Sequence, residues 1–249
     1  MKVYEKLLEI REKRGAGFLV LLDPDRLKKG YLKETVDTYQ KSGVDAFLVG
    51  SSLLLSNHFE QCIETIKSVS EIPVIIFPGN SYQLSPKADA ILYISLISGR
   101  NPDFLIGEHV KSACLLKDYQ LEPISTGYII VDSGKMTSVL YMSNTNPIPA
   151  DKPDIARAHA LAAQYLGMKF VYLEAGSGAE NPVPDEIVKE VKKTIDIPLI
   201  VGGGIKGPKV AAAKVENGAE FIVIGNALEA HKNEERLKDF AKAIHWKEK

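Results

Sequence analysis

The sequence predicts an α/β protein, a single (β/α)8 barrel over residues 1–249. Three observations carry this expectation. Eight short apolar runs punctuate the chain, each apolar on consecutive positions rather than alternating, as strands covered by helices on both faces are. Segments with helical spacing and helix-end signals lie between most of them. The 249 residues are close to the ~250 that one such barrel needs.

The runs are 18–22 (FLVLL), 46–49 (AFLV), 74–77 (VIIF), 90–96 (AILYISL), 128–131 (YIIV), 170–173 (FVYL), 199–201 (LIV) and 221–224 (FIVI). Helices are expected over 31–42, 59–68, 102–116, 155–166, 186–194, 208–216 and 229–244. Pro153 and Pro208 open two of these, and Gly167 and Asn217-Gly218 follow their ends, the usual asymmetry of proline and glycine. After the third run comes only Pro78-Gly79-Asn80 and a proline-interrupted stretch, so the barrel is expected to be modified there, without its helix. Segment 41–52 (KSGVDAFLVGSS) weakly repeats in 216–227 (ENGAEFIVIGNA), as copies of one βα unit would. The polar, proline-rich 133–152 reads as an excursion at the top of the barrel or a contact surface.

Lys plus Arg number 31 and Asp plus Glu 32, for a net charge of −1, which gives no electrostatic reason to expect nucleic acid as a partner. Cys62 and Cys114 fit no metal-ligand spacing and read as two buried thiols. The N-terminus lacks the apolar core of a signal peptide, and no stretch approaches ~20 apolar residues, so a cytoplasmic protein is expected.

In such barrels chemistry sits at the C-terminal ends of the strands. There the chain carries Asp23-Pro24-Asp25, Gly50-Ser51-Ser52, Glu174 to Gly178, Gly202-Gly203-Gly204-Ile205-Lys206 and Gly225-Asn226. Glycines after the seventh and eighth strands let backbone N–H groups approach an anion, the position where barrels hold phosphate; tight βα turns are the alternative. Asp23 and Asp25 read as Mg²⁺ ligands, or as a cap or ion pair. Glu174 reads as a group that orients or deprotonates a hydroxyl. Tyr172, two residues earlier, shares its face of the strand and reads as core packing or as part of the mouth. His58, His109, His159, His231 and His245 fall in helical segments without ligand spacing and read as structural or surface residues.

The ordered combination YLEAGSGA (172–179), GGGIK (202–206) and GNA (225–227), with LLDPDR (21–26), VDAFLVGSS (44–52) and SGRNP (98–102), resembles the geranylgeranylglyceryl phosphate synthases and the related bacterial heptaprenylglyceryl phosphate synthases. The resemblance runs end to end. It implies a TIM barrel whose third helix is replaced by an extended segment. It also implies a Mg²⁺-dependent prenyltransferase joining the C3 hydroxyl of sn-glycerol 1-phosphate to a prenyl diphosphate, geranylgeranyl foremost, as an ether. Carried over by position, glycerol phosphate would meet Tyr172, Leu173, Glu174, Ala175, Gly176, Ser177, Gly178, Gly203, Gly204, Gly225 and Asn226. Asp23 and Ser52 would hold the metal, and Glu174 with Tyr172 would serve catalysis. Arg100 and Lys206 are candidates to meet the diphosphate. The tail would run along Tyr93, Ile94 and Leu96, with Tyr93, Leu96 and Phe104 near its floor. A homo-oligomer, dimer or hexamer, and at most peripheral membrane contact are implied too. Where some relatives carry lysine two residues before the metal aspartate, this chain has Leu21. The alternatives are another phosphate-binding barrel, an isomerase or aldolase, which the lack of a lysine late in the sixth strand disfavours, and a non-catalytic phosphate-binding barrel.

Overall fold

A computed structural model describes residues 1–27, 29–229 and 234–248. Eight strands close a parallel barrel in chain order: β1 (Gly17–Leu22), β2 (Ala46–Val49), β3 (Val74–Ile76), β4 (Ala90–Leu96), β5 (Glu122–Ile130), β6 (Phe170–Glu174), β7 (Leu199–Gly202) and β8 (Phe221–Ile224). Closure pairs β8 with β1 from Gly17↔Phe221 to Val20↔Ile224. The α-helices are α1 (Val3–Arg14), α2 (Leu32–Lys41), α3 (Phe59–Lys67), α4 (Glu108–Asp118), α5 (Ser138–Ser143), α6 (Pro153–Tyr165), α7 (Asp185–Lys192), α8 (Pro208–Glu216), α9 (Asn226–Glu229) and α10 (Glu234–Ile244). Among the described residues no helix is long and apolar enough to cross a membrane.

Alternation along the strands sorts two cores. Leu19, Leu48, Ile75, Phe170, Tyr172 and Phe221 fill the barrel, while Val20, Phe47, Ile76, Val171, Leu173 and Val201 pack outward with the helices. Both faces are buried, which is why the runs are apolar throughout. Strands β2, β4 and β8 match expectation residue for residue. Strand β5 begins six residues earlier than 128, because Glu122-Pro123 and Ser125-Thr126-Gly127 hide it from an apolar count; it pairs with β4 from Ala90↔Glu122 to Leu96↔Tyr128.

Residues 77–89 hold no helix, as expected. The helix expected over 102–116 instead starts with a π-turn, Asp103–Gly107, before α4. Strand side chains take carbonyls there: Ser95 Oγ donates to Leu105 O at 2.8 Å and Tyr93 OH to His109 O at 2.6 Å. The excursion 133–152 contains α5 and bridges back to the sheet at Val131↔Ile148. Of the helix expected over 229–244, residues 230–233, with His231, lie outside the described residues; the rest is α10. Cys62 is buried but Cys114, on the outer face of α4, is exposed, which corrects the expectation of two buried thiols.

Helix α1 has no counterpart among the expected helices. Its apolar Val3, Leu7 and Ile10 stand at i, i+4 and i+7 among Lys and Glu, and they close the barrel floor. The amide of Val3 donates to Glu122 Oε2 at 2.6 Å. Nearby, Asp45 gathers both chain ends. Its carboxylate accepts Phe18 N–H at 2.7 Å and Arg14 Nη1 at 2.8 Å, and meets His245 Nε2 at 2.8 Å. Asp45 and His245 are both buried. Removing one member of such a cluster strands the others, so Asp45→Ala should cost about 3 kcal/mol in denaturant unfolding. Ligand affinity at the opposite end of the barrel should stay unchanged.

Candidate active site

Loops after all eight strands enclose a cavity of about 720 Å³ at the C-terminal end of the barrel, within the range of small-molecule sites. It has three parts: a buried carboxylate at the centre, glycine loops on one side and an apolar arm on the other.

Glu174 ends β6 and points into the barrel, being in phase with Phe170 and Tyr172. It is 5% exposed. Burial raises its carboxyl to about 7, although Gly176 N–H, 2.7 Å from Oε1, the Tyr172 hydroxyl and Ala175 N–H favour the anion. Tyr172 is fully buried, stacked on Phe77 at 5.4 Å and edge-on to Tyr128 at 5.2 Å. Burial and then the Glu174 charge push its phenol well above the usual range, so it stays neutral. Tyr172 and Glu174 meet over Gly202: a Cβ there would lie 2.5 Å from the phenol oxygen and 3.0 Å from Glu174 Oε2.

On the glycine side, Gly203 has φ +79°, and a Cβ on it would fall 2.2 Å from Glu174 Oε1 and 2.7 Å from Gly176 N. Only glycine fits there, and its backbone brings the loop after β7 against the loop after β6. Gly176, Ser177, Gly178, Gly203, Gly204 and Gly225 all line the cavity. Leu173 and Ala175 do not; both belong to the outer core, leaving only their backbone near the site. Asn226 opens the four-residue α9. Lys206 lines the cavity with its ammonium on Glu180 O at 2.8 Å. Arg100 does not reach the lining; its guanidinium binds Gly99 O at 2.7 Å.

Opposite stand the loops after β1 and β2. Asp23 lines the cavity half-buried, and its carboxyl is raised by that burial, against hydrogen bonds from Asp25 N–H and the Ser51 hydroxyl. Oδ2 lies 3.2 Å from Ser51 Oγ and 3.4 Å from Arg26 Nε. Asp25 is committed elsewhere: Oδ2 accepts Leu55 N–H at 2.7 Å. Against the penalty of burial, the Ser56 hydroxyl and the Leu55 and Ser56 amides together hold its carboxyl below the usual value. The pair of aspartates is therefore one candidate ligand and one loop clamp. Ser52 lines the cavity beside them. Among the described residues no group of three or more His, Cys, Asp or Glu side chains could hold a metal.

The apolar arm exists because no helix covers β3. Ile94 and Leu96 line it from the barrel side, and Ile91 and Tyr93 from the outer face of β4, with Phe104 beside them. His109 borders it, buried edge-on to Tyr93 at 4.5 Å; burial lowers its pKa, so it is neutral. Sequence reasoning gave no role to Ser51, Arg26, Phe77 or Tyr128, which also line the cavity, nor to Gln83 behind it. For Ser51 the signal was present, since it directly precedes Ser52 in a strand-end loop. Gln83 carries no such signal.

The chain matches the model of the PcrB family over residues 8–244. It is 43% identical to the geranylgeranylglyceryl phosphate synthase of Chitinophaga pinensis, over 98% of this chain and 96% of that one. It is 42% identical to the enzyme of that name from Pyrococcus horikoshii, over 98% and 95%. It superposes with a TM-score of 0.93 and 35% identity, over 99% of both chains, on the crystal structure of (S)-3-O-geranylgeranylglyceryl phosphate synthase from Thermoplasma acidophilum in complex with its substrate sn-glycerol-1-phosphate. The barrel with its missing third helix, the buried Glu174 and near full-length similarity converge, and this chain belongs to the PcrB family, among the geranylgeranylglyceryl phosphate synthases, which are prenyltransferases.

Proposed function

We propose that the protein forms an ether between the C3 hydroxyl of sn-glycerol 1-phosphate and a long prenyl diphosphate, geranylgeranyl diphosphate foremost, and releases diphosphate. The observation that carries this reading is Glu174, a carboxyl raised to about 7 and set between glycine loops and an apolar arm. The glycerol phosphate lies against Gly176 to Gly178, Gly203, Gly204 and Gly225, where backbone N–H groups and the short helix α9 favour an anion, as loops after strands seven and eight do in such barrels. Its C3 hydroxyl then faces Glu174. As the C1–O bond of the prenyl diphosphate breaks, C1 bonds to the glycerol oxygen and the hydroxyl proton passes to Glu174. Neutral Tyr172 lies beside Glu174 with its buried hydroxyl unpartnered among the described residues, free to meet the substrate or the carboxylate.

The residues fit Mg²⁺, which takes one or two carboxylates with substrate phosphates and water. Asp23 is a carboxylate at the cavity wall with Ser52 and Ser51 beside it. Bound there, the ion would offset the charge of the departing diphosphate. Arg26 lies on that wall beside Asp23, whereas Lys206 stands on the glycine side. Schiff-base chemistry has no support, since β6 ends in FVYLE without lysine. The reaction is cytoplasmic in this reading. Exposed Leu55, Tyr82 and Met136 on loops, and Tyr141 on α5, support a peripheral contact with lipid. Ile155, Tyr165 and Leu166, exposed on α6 and its end, support self-association.

Three outcomes test the reading. Glu174→Gln should lower kcat by roughly 10²–10⁴-fold with sn-glycerol 1-phosphate affinity little changed, as removal of a general base does. In the unmodified protein, kcat/KM should rise with pH through an apparent pKa near 7 as Glu174 loses its proton, and this limb should vanish in the variant. Phe104→Ala should lengthen the apolar arm and shift product preference among prenyl diphosphates toward longer chains, read by extracting labelled product. A protein that binds glycerol phosphate but turns over no prenyl diphosphate would sink the proposal.

A further inference from the structure

We infer that Gln83, on the helix-less segment after β3, is a positioning residue for the diphosphate side of the site; this rests on reading the Asp23–Ser52 wall as that side. Gln83 is fully buried. Its amide takes both backbone groups of Ser51: Oε1 accepts Ser51 N–H at 3.1 Å and Nε2 donates to Ser51 O at 2.7 Å. A neighbouring strand would satisfy the same two groups. Here one side chain does so, beyond the strand ends, on the substrate side.

The surrounding backbone shows how closely this is built. A Cβ on Gly50 would lie 1.8 Å from Phe77 O, and one on Gly79 would lie 2.2 Å from Ser51 O. The loops after β2 and β3 therefore pack backbone against backbone, and Gln83 is the side chain that joins them. Barrel closure does not need it, since β2 and β3 already pair from Phe47↔Val74 to Val49↔Ile76. What Gln83 sets is the direction of Ser51, whose hydroxyl reaches Asp23 Oδ2 at 3.2 Å. The other end of the same loop is held by Asp25 through Leu55 N–H at 2.7 Å. Ser52 is thus carried between two clamps, one from the loop after β1 and one from the segment that replaces a helix. A helix after β3 would pack on the outer layer, whereas this turn-rich segment sends the Gln83 amide to the backbone of the loop after β2.

The glycine side of the site has no contact with Gln83, so the two substrates separate a positioning role from a general one. Inorganic diphosphate with Mg²⁺, and separately sn-glycerol 1-phosphate, are titrated by calorimetry into the protein and into Gln83→Met, with thermal melting alongside. Gln83→Met keeps the length but neither hydrogen bond. Diphosphate binding should weaken about tenfold, the effect of ~1.4 kcal/mol, and KM for the prenyl diphosphate should rise with it, while glycerol phosphate affinity stays within about twofold. Gln83→Glu keeps the acceptor for Ser51 N–H and loses the donor to Ser51 O. It should fall between, and it decides the matter if the methionine variant does not fold. Unchanged diphosphate binding in either folded variant overturns the positioning role, as does equal weakening of both ligands. An unmodified protein that binds glycerol phosphate but not diphosphate overturns the underlying assignment of the wall, and this proposal with it.

Discussion

The site depends on the desolvation of one carboxylate. Closing eight parallel strands into a barrel filled by Leu19, Leu48, Ile75, Phe170, Tyr172 and Phe221 packs apolar side chains beneath the last residue of β6. Glu174 stands on top of that packed interior, and the Gly176 N–H with the nearby Tyr172 hydroxyl and Ala175 amide does not outweigh the burial. Phe77 and Tyr128 keep Tyr172 in place against it. A carboxyl poised near neutrality is therefore a property of the whole barrel rather than of the loop that carries it.

The second constraint is a subtraction. An ordinary barrel would cover the outer face of β3 and β4 with a helix, and a lipid-sized substituent would have nowhere to lie, because the interior is full. Leaving residues 77–89 without a helix opens the arm past Tyr93 and Phe104. It also removes packing that would hold the ends of β2 and β3. Buried polar bonds hold the backbone in its place, with Gln83 on Ser51 and, further along, Ser95 on Leu105 and Tyr93 on the His109 carbonyl. Such bonds are directional where apolar packing is not, so the gap in the wall has a defined edge.

Most of the architecture was readable from residues alone because buried parallel strands are apolar on both faces. The runs 46–49, 90–96 and 221–224 needed no correction. The failures have physical reasons. The first half of β5 and the floor helix α1 bury few large side chains for their length, so composition conceals them. The π-turn at Asp103–Gly107 arises from contacts with β4, which no local pattern records. In the site, the residues at strand ends were legible because topology fixes where such ends point: Asp23, Ser52, Glu174, Gly176, Gly178, Gly203, Gly204 and Gly225 line the cavity. Arg100 was not, since whether a loop cation faces inward depends on which carbonyl it finds first, here that of Gly99. Gln83 was illegible because a single glutamine in a loop is the commonest of solvated residues until its neighbours are known.

In the proposed reaction the two anionic groups meet different chemistry, and the carboxylate between them explains why. Of the described basic side chains lining the cavity, Arg26 sits on Asp23, Lys206 on the Glu180 carbonyl, and His109 is neutral in the apolar arm. No cation bears on Glu174 among the described residues. A lysine or arginine beside the glycerol phosphate would bind it more tightly, but it would also favour the Glu174 anion, lower its pKa and weaken it as a base. Recognition by backbone N–H groups over glycines avoids that conflict, since those dipoles act on the phosphate at contact distance and fall off quickly. Positive charge is then best kept at the opposite wall, on Asp23, where it assists a leaving group without touching the proton acceptor. Leu21, apolar where some relatives are cationic, lines this same cavity beside Gly225 and is consistent with that division.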